Sequence, residues 1–383
     1  MKKTNYYKIN GVIFLVIIFS FFIINVLKSD TVTSELENRT LKKKPKIDID
    51  NIISGRYQTK FESYVNDQFF IRDKFIKLKS KSDSIVLKKE NNGIYFGKDN
   101  FLFEKVDKMN EERVDNNITS INAFIEKYNN NKFYFELVPT SATVYPEKLP
   151  NNAPIVDERD CEGRIKDKLS SNVKFVSPYD SLVKNSEQYI YYKTDHHWTT
   201  LGAYLGYVEF CSIADIKPYE LNNYECLKVT DSFYGTLFSK SLHDVKEADE
   251  INVYLPLDQD MRKNIVEYVD EKEVSPTFYD TSFLSKNDKY SLFFKSNHPL
   301  IKIKTMAKDK GSIVIFKDSY ANSFVPFLTQ NYSQIYMVDA RYYCDNIDDV
   351  MKEAGKSADV LFLYNYNTFS TDNTLCEVLN NYN

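Results

Sequence analysis

Residues 11–27 form an apolar run interrupted only by Ser20 and Asn25, and this run limits every architecture open to the chain. As a helix rising about 1.5 Å per residue, it just reaches across a bilayer core of roughly 30 Å once flanking side chains snorkel toward the headgroups. Lys2, Lys3 and Lys8 precede it. Cations favour the cytoplasmic side, so the N-terminal end is expected inside and everything after Leu27 outside, with Lys42, Lys43 and Lys44 weakening the asymmetry. A cleaved signal peptide is the rival reading. No small-x-small cleavage site follows Leu27, and no cysteine stands close enough to carry a lipid, which favours an uncleaved single-pass anchor in the cell membrane.

Three segments follow: a cytoplasmic tip and anchor over 1–28, a polar stalk containing Pro45 over 29–47, and one extracytoplasmic domain over 48–383. Between Asp50 and Lys89, Phe61, Tyr64, Val65, Phe69, Phe75 and Ile76 recur at helical spacing. Beyond them, short runs at 133–138, 173–176, 312–316, 334–338 and 360–364 are mostly apolar throughout, the pattern of strands buried on both faces. They alternate with helical stretches at 118–128, 158–169, 201–214 and 322–328. That alternation predicts an α/β fold, a parallel sheet with helices on both faces, whose ligands sit at the carboxyl ends of the strands. The stretch from about 218 to 300 breaks the rhythm and reads as an insertion that either walls a site or is a solvated excursion.

Several classes of function are excluded early. A net charge of -4 provides no basic field to attract a phosphate backbone, so nucleic acid is not expected as a partner. The ten glycines include no pair separated by one residue, so neither a dinucleotide fingerprint nor a P-loop can be written, and no cofactor is expected. The five cysteines (Cys161, Cys211, Cys226, Cys344, Cys376) contain no CxxC pair, which removes zinc-knuckle and thioredoxin spacing, and their odd number leaves at least one thiol free. The 29 Tyr and 27 Phe accompany abundant Asn, Lys and Ile, a general compositional bias and not a sugar-stacking signal.

Chemistry concentrates in residues 193–202, Lys-Thr-Asp-His-His-Trp-Thr-Thr-Leu-Gly, which hold two of only four histidines. In an extended segment Asp195 and His197 point together and His196 points away. An aspartate beside an imidazole fixes its tautomer and stabilises its protonated form, as a base serving a serine requires. Thr199 or Thr200 can cap the helix that follows. A metal site would need His196 and His197 to converge and further His or Cys ligands to join them; neither condition is met, so no metal is expected. A polar turn whose imidazoles bond to backbone is the plainer alternative. Ser319 changes the balance. It lies where the run at 312–316 ends and a helix begins, which exposes its hydroxyl at the sheet's carboxyl edge. Nearby N–H groups, including that of Tyr320, are placed to join an oxyanion hole. Alone, such a serine is an ordinary helix cap; with Asp-x-His it becomes a candidate nucleophile. Asp318 is expected to face elsewhere, in a turn or cap.

The Asp195-His196-His197-Trp198 string resembles the signature of the DHHW protein family, which is similar to the SGNH-hydrolase-like domains of alginate O-acetyltransferases. Glu37-Asn38-Arg39, the aromatic-rich stretch 64–72, residues 93–103, Tyr145-Pro146-Glu147-Lys148-Leu149-Pro150 and Asp318-Ser319-Tyr320 stand in the family's order. The resemblance implies a permuted SGNH-like fold with Ser319, His197 and Asp195 as a triad acting on acyl esters of a surface polysaccharide. It also implies a membrane-bound O-acyltransferase partner that delivers the acyl donor, which gives the anchor a purpose. Lys317 stands where SGNH hydrolases have glycine, and Asn365 and Asn322 are further oxyanion candidates or ordinary caps. The expected function is thus a membrane-anchored O-acetyltransferase. An acetylesterase would use the same residues, and a non-catalytic scaffold or glycan-binding component of an export complex would keep only the fold.

Overall fold

In the computed structural model, which describes residues 2–380 apart from 35, 87, 107 and 244, the chain divides into two compact units. The first comprises Met1–Lys88 with Leu242–Asp244, and the second Lys89–Ser241 with Val245–Asn383. In the first, α1 (Lys2–Leu27) contains the apolar stretch Tyr6–Leu27, with a mean hydropathy of 2.6. It is long and apolar enough to cross a bilayer, a property that anchors and signal sequences share. A hairpin pairing Thr33–Ser34 with Arg39–Thr40 falls within the expected stalk, followed by α2 (Arg56–Gln68) and α3 (Arg72–Ile85). The Glu37-Asn38-Arg39 string acts structurally here. Arg39 forks onto both oxygens of Asp67 at 2.8 and 2.6 Å, and Glu37 takes Arg72. The hydrogen bond from Arg39 outweighs burial and holds Asp67 down at about 2.

The second unit is built on eight strands: β1 (Lys132–Val138), β2 (Val173–Val176), β3 (Ile265–Tyr268), β4 (Glu273–Ser275), β5 (Leu300–Lys304), β6 (Ser312–Lys317), β7 (Gln334–Val338) and β8 (Asp359–Asn365). Their spatial order is β4-β3-β5-β7-β6-β8-β1-β2. From β7 to β2 the neighbours are parallel, while β5, β3 and β4 extend the sheet antiparallel. The covering helices are α4 (Glu111–Lys127), α5 (Glu158–Lys168), α6 (Thr200–Ala214), α7 (Ala321–Leu328), α8 (Ile347–Ala354), α9 (Tyr366–Thr371) and α10 (Thr374–Leu379).

Strand alternation decides which helices each residue meets. Ile313, Ile315, Met337 and Leu361 pack with Tyr207 and Phe210 of α6 and Phe324 and Phe327 of α7. Val314, Phe316, Val338 and Phe362 face the other way, against Ile121 and Phe124 of α4, Ile165 of α5, Val350 of α8 and Phe369 of α9. Both faces are therefore dry, which explains the unbroken apolar runs, and each fully buried aliphatic or aromatic side chain contributes roughly 1.5–3 kcal/mol.

Two differences from the sequence reading have physical causes. Helix α4 begins at Glu111 and not near Ile118, because Asn110 caps it by accepting from the Arg113 N–H, and Glu111 and Glu112 suit a helix N-terminus. The stretch 218–300 supplies β3 and β4, four and three residues long, in addition to a hairpin of Tyr224–Phe233 with Asp249–Pro256. Strands that short carry too few residues for a period to register. All five cysteines are free thiols.

Candidate active site

The carboxyl ends of β1, β6 and β8 lie together, and the chain delivers a different loop to each. Asp318-Ser319-Tyr320 joins β6 to α7, and Asn365 closes β8. The 190–199 segment is tied into a tight loop: Tyr192 N–H donates to the His197 carbonyl at 3.2 Å and Thr199 N–H to the Ile190 carbonyl at 2.9 Å. Thr199 caps α6, its hydroxyl accepting from the Gly202 N–H. A second buried carboxylate, Asp249, fastens the loop by accepting from the Lys193 and Thr194 N–H groups and the Thr194 hydroxyl.

Within that loop Asp195 is only 2 % exposed and accepts four hydrogen bonds. Oδ1 takes the His197 N–H at 3.0 Å and His197 Nδ1 at 2.5 Å; Oδ2 takes the Thr236 N–H at 2.8 Å and the Thr236 hydroxyl at 2.9 Å. Burial raises its pKa, yet the charges of His196 and His197 and these bonds prevail and hold it far below the usual carboxylate range. An ionised Asp195 can only accept, so His197 Nδ1 carries its proton and Nε2 is left with a lone pair. Nε2 lies 2.7 Å from Ser319 Oγ. Burial, and then the neighbouring His196, lower His197 to about 4 against the pull of Asp195, so the imidazole is neutral at pH 7. The three residues singled out by spacing thus form one continuous hydrogen-bonded chain.

His196 does not point away as an extended segment would require. The loop bends at this point, bringing the two imidazole centroids to 3.9 Å and His196 Nδ1 to 3.8 Å from Asp195 Oδ1. Asp195, His196 and His197 are metal-ligating residue types gathered within 4.8 Å. Both oxygens of Asp195 and both nitrogens of His197 are, however, already engaged with hydrogen-bonding groups, an arrangement suited to proton transfer and not to holding a cation.

The oxyanion donors named from sequence are engaged elsewhere. Tyr320 N–H donates to Asp318 Oδ1 at 2.9 Å, because Asp318 turns back to bind the turn that follows it. Asn365 donates its N–H to Asp318 Oδ2, gives its amide to the Val138 and Pro139 carbonyls, and caps α9 with its oxygen. Asn322 lies between Lys317 Nζ at 2.9 Å and Asn297. These three residues shape the loop. Among the described residues, the N–H of Ser319 itself makes no hydrogen bond, and it adjoins the hydroxyl.

Lys317, in place of the expected glycine, is fully buried beneath this loop, its amine 3.2 Å from Asp339, which also takes Arg341 in a fork at 2.8 and 2.6 Å. Trp198 is buried and donates its indole N–H to the Tyr320 carbonyl at 3.0 Å, stacking on Phe324; it packs beneath the site and does not line it. Sequence reasoning missed Thr236, Asp249 and Tyr290. Tyr290 lies against His197 with centroids 3.9 Å apart and planes 9° from parallel. Their contacts cross 41, 55 and more than 90 positions, distances over which no local spacing carries a signal.

The description DHHW protein matches residues 115–338, more than half of the chain. The chain belongs to the DHHW family. A DHHW family protein from Eubacterium siraeum is similar at 27% identity, with 76% of this chain and 96% of that one covered and a TM-score of 0.64. Bacillus cereus PatB1, solved with a sulfonyl adduct, aligns at 21% identity over 73% of this chain and 97% of its own, TM-score 0.62. A more distant likeness, to the O-acetyltransferase domain of Pseudomonas putida AlgJ, has 12% identity over 75% of this chain and 99% of that one, TM-score 0.46. No curated protein matches the chain. The α/β fold expected from sequence is the fold this DHHW protein adopts.

Proposed function

We propose that this protein is a membrane-anchored, extracytoplasmic O-acetyltransferase that acylates hydroxyls of a cell-surface polysaccharide through Ser319, His197 and Asp195. The observation that carries the reading is the hydrogen-bonded chain from Asp195 through His197 to a serine hydroxyl at the carboxyl edge of the sheet. As Ser319 Oγ attacks the carbonyl of an acyl donor, its proton passes to His197 Nε2, and Asp195 stabilises the imidazolium. The oxyanion forms beside the free Ser319 N–H. Collapse expels the donor's leaving group, which takes the proton from His197, and acetyl-Ser319 remains. A sugar hydroxyl then gives its proton to His197 and attacks the acetyl carbonyl; Ser319 Oγ leaves with that proton. In this reading a membrane-bound O-acyltransferase partner supplies the donor, and α1 keeps the site beside it. Water in place of the sugar would make the same residues an acetylesterase.

The test uses the full-length chain in detergent with p-nitrophenyl acetate, read by intact mass. Wild type acquires an acetyl group that S319A does not. Release of nitrophenol that accelerates when an acceptor oligosaccharide is added marks transfer; release indifferent to the sugar marks hydrolysis. Absence of both nitrophenol release and adduct in wild type moves the function to binding or scaffolding.

The low pKa of His197 gives a second expectation. The base works only when neutral, so kcat/KM falls as pH drops through about 4 and is level through the range where an ordinary histidine, near 6.5, would still be titrating. An ascending limb centred near 6.5 would contradict the burial argument.

A further inference from the structure

We infer that Tyr290 is a positioning residue that holds the base and the nucleophile in register from a segment outside both of their loops. The inference deepens the proposed function and rests on it. Tyr290 comes from the 218–300 stretch, in a short helical turn Lys289–Leu292, and is buried. Its ring lies flat on the His197 imidazole. Its hydroxyl donates to the Ser319 carbonyl at 3.0 Å and lies 3.2 Å from Ser323 Oγ at the start of α7. One rigid side chain therefore touches the base with its face and the nucleophile's backbone with its tip. Burial keeps the hydroxyl protonated, so it remains a donor throughout the working range.

Two consequences follow from that geometry. Nothing else described bonds to the Ser319 carbonyl except the Asn322 N–H of the same turn, so the Tyr290 hydroxyl is the outside tie that fixes where Oγ stands relative to Nε2. The ring also covers one face of an imidazole that is only 4 % exposed, and burial is the first cause of that imidazole's low basicity. The other groups facing His197 are Asp195 and His196 from its own loop, Ser319 and Tyr320 from the loop after β6, and the charge of Arg341. A substitution at Tyr290 leaves all of these in the chain, so a change in His197 titration reports the lost cover.

The experiment compares wild type, Y290F, Y290A and S319A as full-length protein in detergent. It reads acylation kinetics with p-nitrophenyl acetate against pH, and the His197 imidazole resonance by NMR on histidine-labelled protein. Y290F keeps the ring and loses the hydroxyl's contacts with the Ser319 carbonyl and Ser323 Oγ, so kcat falls roughly fivefold with KM and the pH midpoint unchanged. Y290A uncovers the imidazole: kcat falls on the order of 10²-fold, and the His197 midpoint moves up toward the ordinary histidine value. A Y290A protein that titrates and turns over like wild type overturns the inference. So does a Y290F protein whose midpoint shifts as far as that of Y290A, since the ring would then not be the determinant. The NMR titration needs no turnover, so S319A protein that still acylates would remove the proposed function while the imidazole shift continued to test the stacking.

Discussion

Replacing Ser319 with Ala lowers the rate of acetyl transfer by about 10⁶-fold, His197→Ala lowers it by a similar factor, and the double variant is no slower than either. The non-additivity is the informative part. Once the Nε2 to Oγ bond is gone, neither residue has a separate task, and the residual rate comes from binding and the remaining donors. Asp195→Asn is milder, about 10⁴-fold, for a reason visible in its contacts. In the rotamer that keeps both Thr236 donors on the amide oxygen, the NH₂ of an asparagine faces His197 Nδ1 and breaks the bond that Oδ1 accepts from the His197 N–H. That forces Nδ1 to accept and places the ring proton on Nε2, aimed at Ser319 where a lone pair is needed. Single-turnover acylation of the full-length variants measures the series, with thermal melts to show that each is folded. S319A protein that acylates at the wild-type rate would end the triad reading.

How much of this was legible in the sequence depends on the range of each interaction. The sheet was legible because both of its faces are dry: β6, β7 and β8 are apolar runs whose alternate residues, Ile313 and Val314 for example, pack against helices on opposite sides. Asp195 and His197 were legible because the relation between them is two residues long. Ser319 was legible because a strand followed at once by a helix puts whatever lies between them at the sheet's edge. The bend that swings His196 back toward its neighbour was not legible, since it is imposed by bonds from Tyr192 and Thr199 that close the loop. Nor was the fate of Tyr320, Asn365 and Asn322. Each has the chemistry of an oxyanion donor, and only the placement of Asp318, Asn297 and the Val138 and Pro139 carbonyls decides that their donors are consumed. The supporting residues Thr236, Asp249 and Tyr290 lie 41, 55 and 93 positions from the loop residues they touch, so no local spacing ties them to the site.

Gly235→Ala carries the largest effect expected from a residue with no chemistry of its own. Gly235 precedes the two Thr236 donors that hold Asp195, and its own N–H donates to Thr194 Oγ1 at 3.0 Å. A Cβ at this position would collide with Asp195 Cβ and Oδ2, closer than carbon approaches either atom in any packed interior. Gly235 does not need a left-handed backbone, so the requirement is for space alone. Asp195 has nowhere to retreat, being buried and fixed at both oxygens. The added methyl must therefore either push the Thr236 donors off Oδ2 or drive the Asp195–His197 pair toward Ser319. Either shift, at about 1 Å, lowers acylation on the order of 10²-fold, while overpacking costs about 1–3 kcal/mol of stability. The assignment to Asp195 is checked by a double-mutant cycle. In an Asp195→Gly background, already crippled, the alanine has no side chain to strike, so G235A adds little further loss. Equal fractional losses in both backgrounds would place the damage in the fold of the short helix Thr236–Ser241 and not in the carboxylate that orients His197.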